Sequence, residues 1–216
     1  MDYSPILISL KTSVCAAGIA FVFGMMAARW TYSMKSWRKG FLDAVFTLPL
    51  VLPPTVIGFL LLLLCGKNGP AGYLLQKFGC RLIFSWEATV LAAAVAAFPL
   101  IYRTLRAAFE QFDSNILDSA RTLGLSEQTI FFRILLPGSI SGCIAAAVLG
   151  FARSLGEFGA TLMIAGNIPG RTQTIPTAIW SAVEGNEMTN AAAYVAVVLV
   201  LSFAVMIFLN SYTLQR

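Results

Sequence analysis

Residues 117–137 read LDSARTLGLSEQTIFFRILLP, a polar stretch between strongly apolar ones. Just ahead of it Asp113 or Ser114 can cap a helix, and Ile116, Leu117, Ala120 and Leu123 then share one apolar face. Gly124 suits the left-handed position that ends such a helix. Ser126, followed by Glu127-Gln128, starts a second helix whose apolar face holds Ile130, Phe131, Ile134 and Leu135. Pro137 fits the first turn of the apolar helix beyond. The stretch predicts two short helices joined by a tight turn, the first over about residues 114–124. An ordinary amphipathic connector at a membrane surface has the same local pattern.

The flanks decide that a membrane is involved. Of 216 residues, 58% are hydrophobic and 12% charged, too few charges to solvate a surface. Runs without any charge cover residues 12–28, 44–66, 88–102, 134–152 and 188–215. A spanning helix needs about 20 mostly apolar residues. Five spans are expected, near residues 6–29, 44–65, 85–105, 135–165 and 190–211. The third is short and borrows flanking residues such as Trp86 and the stem of Arg103. No basic region precedes the first run, so it reads as an anchor and not as a signal peptide.

The net charge of +5 follows topology and does not indicate nucleic-acid binding. Arg29, Lys35, Arg38 and Lys39 follow the first span, and Arg103, Arg106, Arg121 and Arg133 lie between the third and fourth. The alternate loops carry Lys67, Lys77 and Arg81, and then only Arg171. The positive-inside rule places the richer loops in the cytoplasm, with the N-terminus outside and the C-terminus inside. Cys15, Cys65, Cys80 and Cys143 show no paired spacing and the chain has no histidine, so the usual zinc patterns are missing. The cysteines read as small packing residues.

Prolines interrupt the second apolar run at Pro49, Pro53 and Pro54. Each interior proline removes a backbone bond and clashes with the preceding turn. Such breaks survive in a membrane where protein or water satisfies the freed carbonyls. The segment is either a bent helix lining a pathway or gate, or a helix start at the interface. Residues 66–85 are glycine-rich, with Gly69-Pro70 as a turn and Leu74, Leu75 and Phe78 able to form a short amphipathic piece.

Arg153 and Glu157 are the only charges between Ile134 and Asn167. Spaced i,i+4, they are expected on one helical face with Ala146, Gly150 and Ala160. A charge at membrane depth costs about 2.5–3.5 kcal/mol on insertion scales, so such groups pair or face a cavity. They form a structural pair, part of the gate or wall of an anion pathway, or both, since a pair that breaks on opening would couple conformation to access. Gly150, Gly156, Gly159 and Ala160 permit close helix approach. Beyond them, residues 175–183 can form a short helix, with Pro176 in its first turn and Trp180 at the interface.

The order Asp118-Ser119-Ala120, Gly124, Ile134-x-Leu136-Pro137 resembles the EAA motif that ABC importer permeases present to their ATPase subunits. Asp118 and Ser119 stand where Glu and Ala are usual; Gly124 and the closing I-x-L-P are in register. Residues 149–161, LGFARSLGEFGAT, resemble the permease family for group-VI oxyanions and sulfate. Residues 166–176, GNIPGRTQTIP, and 48–58, LPLVLPPTVIG, are similar to molybdate permeases.

The resemblance covers almost the whole chain. It implies an all-α integral membrane protein, with five transmembrane helices in a type I ABC importer permease fold. Residues 1–216 form one permease domain, with a cytoplasmic coupling helix between spans three and four. It implies a homodimer in the cell membrane and two separate ATP-binding cassette subunits on the cytoplasmic side. A periplasmic or lipid-anchored molybdate-binding protein is the third partner.

Contact with the ATPase falls to Asp118, Ser119, Ala120, Leu123, Gly124, Ile134 and Pro137. Pro53, Pro54, Gly150, Arg153, Gly156, Glu157, Gly159 and Thr161 are pathway or gate candidates. Asn167, Arg171, Thr172 and Thr174, with Gln173, offer donors outside to a passing oxyanion or the docked binding protein, or belong to a merely solvated loop. No cofactor is expected on this chain. It lacks a G-x-x-x-x-G-K-[ST] phosphate loop, so ATP is used by the partner.

Molybdate or tungstate comes first as cargo, with sulfate or thiosulfate as the alternative. A secondary anion transporter would show more spans, repeat symmetry and coupling acids. A membrane enzyme has no general base to draw on here, without histidine or clustered carboxylates.

Overall fold

The computed structural model describes residues 2–34, 36–79 and 81–213; Lys35 and Cys80, noted above, lie outside them. The described residues form helices α1 (Ser4–Tyr32), α2 (Ser36–Val51), α3 (Pro54–Cys65), α4 (Pro70–Lys77), α5 (Trp86–Glu110), α6 (Ser114–Thr122) and α7 (Glu127–Ile130). A π-helical turn, Phe131–Leu135, leads into α8 (Leu136–Gly138), α9 (Ile140–Leu155), α10 (Gly159–Ala165), α11 (Ile175–Glu184) and α12 (Met188–Thr213). Three helices, α1, α5 and α12, are each long and apolar enough to cross a membrane. Two bent pairs, α2 with α3 and the α7–α8 segment with α9, raise that to five spans if each pair counts as one.

Small residues set how the helices pack. Ala16, Ala20, Ala27 and Ala28 of α1 join Ala93, Ala94, Ala97 and Ile101 of α5 in one buried cluster. A Cβ on Gly24 would lie 2.9 Å from Ile101 Cγ2, so the backbones approach closely. Antiparallel to α5 runs α9: Gly138 meets Phe112, Gly142 meets Ala108 and Gly150 meets Ile101. By contrast α12 lies on α9 and α11, with most of its apolar surface open, as lipid or a partner helix requires.

One end of the bundle gathers the starts of α1, α5, α11 and α12. Trp86 Nε1 donates to Thr12 Oγ1 at 2.9 Å, Ile175 N–H to Ser9 Oγ at 2.7 Å, and Tyr194 OH to the Asp2 carbonyl at 2.8 Å. The opposite end carries α6, α7 and the C-terminal ends of α1 and α5.

The structure refines the second, third and fourth spans. Span two breaks at its prolines, where the sequence predicts a bend or a fresh helix start: α2 ends at Val51, Pro53 is the N-cap residue of α3, and the two axes differ by 110°. Pro54, at the first turn, loses no intrahelical bond there, while Pro53 stops α2 from continuing. Span four is not continuous over 135–165 either. It bends by 73° between Gly138 and Ile140 and breaks again between Leu155 and Gly159. The third span is longer than expected, running over Trp86–Glu110.

Candidate functional site

Two sites stand out, one at the α6–α7 end and one at the break after α9. At the first, the Asp113 carboxylate accepts from Asn115 N–H at 2.9 Å and caps α6. The helix ends in a Schellman motif: Leu125 N–H reaches the Ala120 carbonyl at 3.2 Å and Gly124 N–H the Arg121 carbonyl at 2.9 Å. Gly124 sits at φ 78°, the left-handed region its sequence position predicts. Ser126 Oγ then caps α7 by accepting from Thr129 N–H at 3.3 Å.

One guanidinium joins the two helices. Arg121 Nη1 donates to Asp118 Oδ1 at 2.6 Å, and Nε to Glu127 Oε1 at 2.7 Å. Hydrogen bonds from its guanidinium to Glu127 and Asp118 hold Arg121 above the ordinary arginine range. Leu117 and Ala120 are buried, whereas Ile116 is half exposed and Leu123 is 81% exposed. The four do not share one covered face. Ile116, Leu123 and Leu125 form an uncovered apolar rim beside the acidic Asp118, and Ser119 is exposed with them. In the second helix Ile130, Phe131 and Leu135 are buried and Ile134 packs at the edge; Pro137 stays exposed.

The π-turn anchors this segment on the spans. Arg29 lies 4.4 Å from the centroid of the Phe131 ring and 5.2 Å from that of Phe132. Phe109 of α5 packs edge-on to both Phe131 and Tyr32. The sequence reading passed over this clamp, because neither Arg29 nor the Phe131-Phe132 pair signals the other.

At the second site α9 stops at Leu155, and Glu157 sits in the break, not on a continuing helix with Arg153. The pair still forms: Arg153 Nη1 is 3.1 Å from Glu157 Oε2. The other carboxylate oxygen accepts from Ala160 N–H at 2.9 Å and so caps α10. Glu157 is buried, while the Arg153 side chain is 33% exposed. Ala160 therefore belongs to a separate helix from Ala146 and Gly150.

Helix α10 packs on α3, so the two chain breaks meet. A Cβ on Gly159 would lie 2.8 Å from Pro54 Cβ, and one on Gly58 would lie 2.6 Å from Met163 Cβ. Gly150 is pressed on Ile101, Gly156 has open space, and Thr161 is buried. Pro53 and Pro54 are themselves exposed.

The outer-loop candidates divide. Thr172 and Thr174 are buried, and Thr172 Oγ1 accepts from Ile168 N–H at 3.0 Å. Thr174 N–H donates to Thr177 Oγ1 at 2.8 Å, in a capping box that opens α11. These threonines are bonded within the loop and its capping box. Asn167 Oδ1 is buried without a hydrogen-bond partner, and Arg171 is exposed.

A polar network was also missed. Asp43 of α2 takes hydrogen bonds from Arg106 and from Tyr102 OH, both on α5. Arg106 Nε reaches Glu110 Oε1 at 2.9 Å, and Lys39 Nζ reaches the same oxygen at 2.8 Å. Tyr102 OH also lies 3.1 Å from Thr31 Oγ1 of α1. The i,i+4 pair Arg106–Glu110 is visible in sequence. Its partner Asp43, at the mouth of an apolar run, is not tied to it by any local pattern.

Residues 20–212 match the family described as binding-protein-dependent transport system inner membrane component. The chain is 46% identical over 186 residues, 85% of its length, to the molybdenum transport system permease protein ModB of Haemophilus influenzae, 81% of which is covered. It is 28% identical over 213 residues, 99% of its length, to a probable sulfate transport system permease protein of Chlorella vulgaris, 80% of which is covered. In fold it is similar to a bacterial ABC transporter involved in import of the polysaccharide alginate, with a TM-score of 0.75 at 14% identity. That superposition covers 100% of this chain and 80% of the other.

Proposed function

The chain belongs to the binding-protein-dependent transport system inner membrane components, a multi-pass permease subunit and not itself an ATPase, and from that we propose that it forms the pathway of an ATP-driven molybdate importer. Its partners are ATPase subunits and a binding protein, and members of its family generally bind no cofactor. The observation that carries the choice of cargo is the contrast in likeness: 46% identity to a molybdenum permease against 28% to a sulfate one.

In this reading two copies of the chain enclose the pathway, and two ATPase subunits dock on the rim of Ile116, Asp118, Leu123 and Leu125. The N-terminus faces outward and α6 faces the cytoplasm. Because Arg121 ties α6 to α7, the two helices move as one body. Arg29, stacked on Phe131 and Phe132, passes that movement to α1. Helices α3 and α10 travel together at the pathway wall, since neither can slide past the other at Gly58 and Gly159. ATP binding by the partner biases a two-state equilibrium between inward-open and outward-open forms.

The test is molybdate uptake in a permease-deleted host, complemented with this chain, its ATPase and its binding protein, with sulfate as competitor. Uptake that resists excess sulfate supports a molybdate system. Failure with molybdate but success with sulfate keeps the permease and overturns the cargo.

A further inference from the structure

At the end of the bundle away from α6, three cations converge on one cavity of about 470 Å³. Lys67 follows α3, Arg81 precedes α5, and Arg171 lies in the loop before α11. The walls are fixed. Phe84 N–H donates to the Ile164 carbonyl at 3.0 Å, with Phe84 itself at φ 61°. Its ring lies against Gly166, where a Cβ would come within 3.1 Å. Opposite, Gly72 presses α4 onto the Gly66 carbonyl, and Gln76 Nε2 donates to the Lys67 carbonyl at 3.3 Å.

Charge separates this cavity from its surroundings. Among the described residues no carboxylate lines it, and none of the three cations has an ion-pair partner within 4.0 Å. Two other cations at this end are differently placed: Lys11 Nζ lies 4.0 Å from the Trp86 ring centroid and Lys77 Nζ 4.7 Å from that of Tyr73. Glu87, at the start of α5, feels both Arg171 and Lys11 but stands outside the cavity. Outer loops of inner-membrane proteins are ordinarily poor in Lys and Arg, so three exposed cations without a close carboxylate among the described residues make this concavity a favourable place for an anion. Two guanidinium forks and an ammonium suit the oxygens of a tetrahedral oxyanion.

We infer that Lys67, Arg81 and Arg171 form a tetrahedral-oxyanion site at the outer mouth of the permease. Two sources share that chemistry: free cargo released by the binding protein, which rests on the proposed molybdate function, and the phosphate of an anionic lipid, which does not.

The test uses the permease–ATPase complex in lipid nanodiscs without binding protein. One arm measures binding of radiolabelled molybdate in phosphatidylcholine discs. The other measures phosphatidylglycerol retained by the complex from mixed lipid. Replacing Lys67, Arg81 and Arg171 by Gln should weaken one of the two about tenfold or more. A Lys11→Gln/Lys77→Gln control, lacking charge at the same end, should stay within about twofold. The single Arg171→Gln change, at an exposed side chain, is read alongside in case the triple variant misfolds.

Loss in the molybdate arm assigns the site to cargo, and loss in the lipid arm assigns it to lipid. No loss in either arm, or equal loss in the control, overturns the site. Uptake by the unaltered importer is measured separately: if it carries sulfate and not molybdate, the cargo reading fails, and the binding arm, repeated with sulfate, still decides the site.

Discussion

The backbone of Gly159 rests on the ring of Pro54, so close that an added Cβ would sit 2.8 Å from Pro54 Cβ. This contact joins the break in span two to the break in span four. Gly159→Val should lower thermal stability by about 1–3 kcal/mol through overpacking and reduce transport with it. Gly156→Ala, where a Cβ meets nothing within 4 Å, should leave the melting temperature nearly unchanged. Melting of the purified complex in detergent separates the two; equal melting of both variants contradicts the packing role of Gly159.

Glu157 performs two tasks with its two oxygens, pairing Arg153 and capping α10. Glu157→Gln keeps an acceptor for Ala160 N–H but removes the charge, whereas Glu157→Ala removes both. Breaking a buried pair costs about 3–5 kcal/mol. Solvent around Arg153, 33% exposed, reduces that to roughly 1–2 kcal/mol for the Gln variant. The Ala variant should lose about 1 kcal/mol more, a lost cap. Transport and melting together check the order: wild type, then Gln, then Ala. Identical behaviour of Gln and Ala would show that the cap contributes nothing.

What the chain reveals unaided depends on how far apart the interacting residues lie. The cap at Asp113, the turn at Gly124 and the restart at Ser126 are readable because each involves neighbours within a few positions. The proline cluster announces a break, but its 110° angle depends on α3 finding α10, more than a hundred residues away. Glu157 shows the limit most plainly. Its spacing from Arg153 predicts the pair correctly and the helix incorrectly, because an i,i+4 contact also closes across a helix end. Thr172 and Thr174 look like donors in sequence, and only the folded loop shows the Thr172 hydroxyl accepting from Ile168 N–H and the Thr174 hydroxyl beside that of Thr177.

The rim of α6 leaves Ile116, Leu123 and Leu125 uncovered, and the proposed docking of the ATPase there is open to a direct test. Asp118 and Arg121 form a surface pair, their side chains 66% and 42% exposed, and such pairs contribute about 0–1 kcal/mol to folding. Asp118→Lys and Leu123→Asp should therefore leave melting within about 1 kcal/mol of wild type while abolishing co-purification of the ATPase. Leu123 is the sharper probe, since at 81% exposure it has little role in the isolated fold. Retained ATPase and normal uptake in both variants would sink the docking assignment.

The last prediction concerns how α2 is moored. Its contacts run mainly to α5, through Phe46 among Phe98 and Tyr102, and through Asp43 with Arg106 and Tyr102. Asp43 and Arg106 are each about three-quarters shielded, so their attraction is less screened than that of a surface pair. Asp43→Asn leaves Arg106 with Glu110 and the Tyr102 hydroxyl, and Arg106→Gln leaves Asp43 with the Tyr102 hydroxyl. Each change should cost about 1–3 kcal/mol, and the double variant should cost less than the sum by roughly 1–2 kcal/mol. That coupling is read from melting of all four proteins in a cycle. Additive losses would mean that Asp43 and Arg106 act separately, and that the rings around Phe46 hold α2 without them.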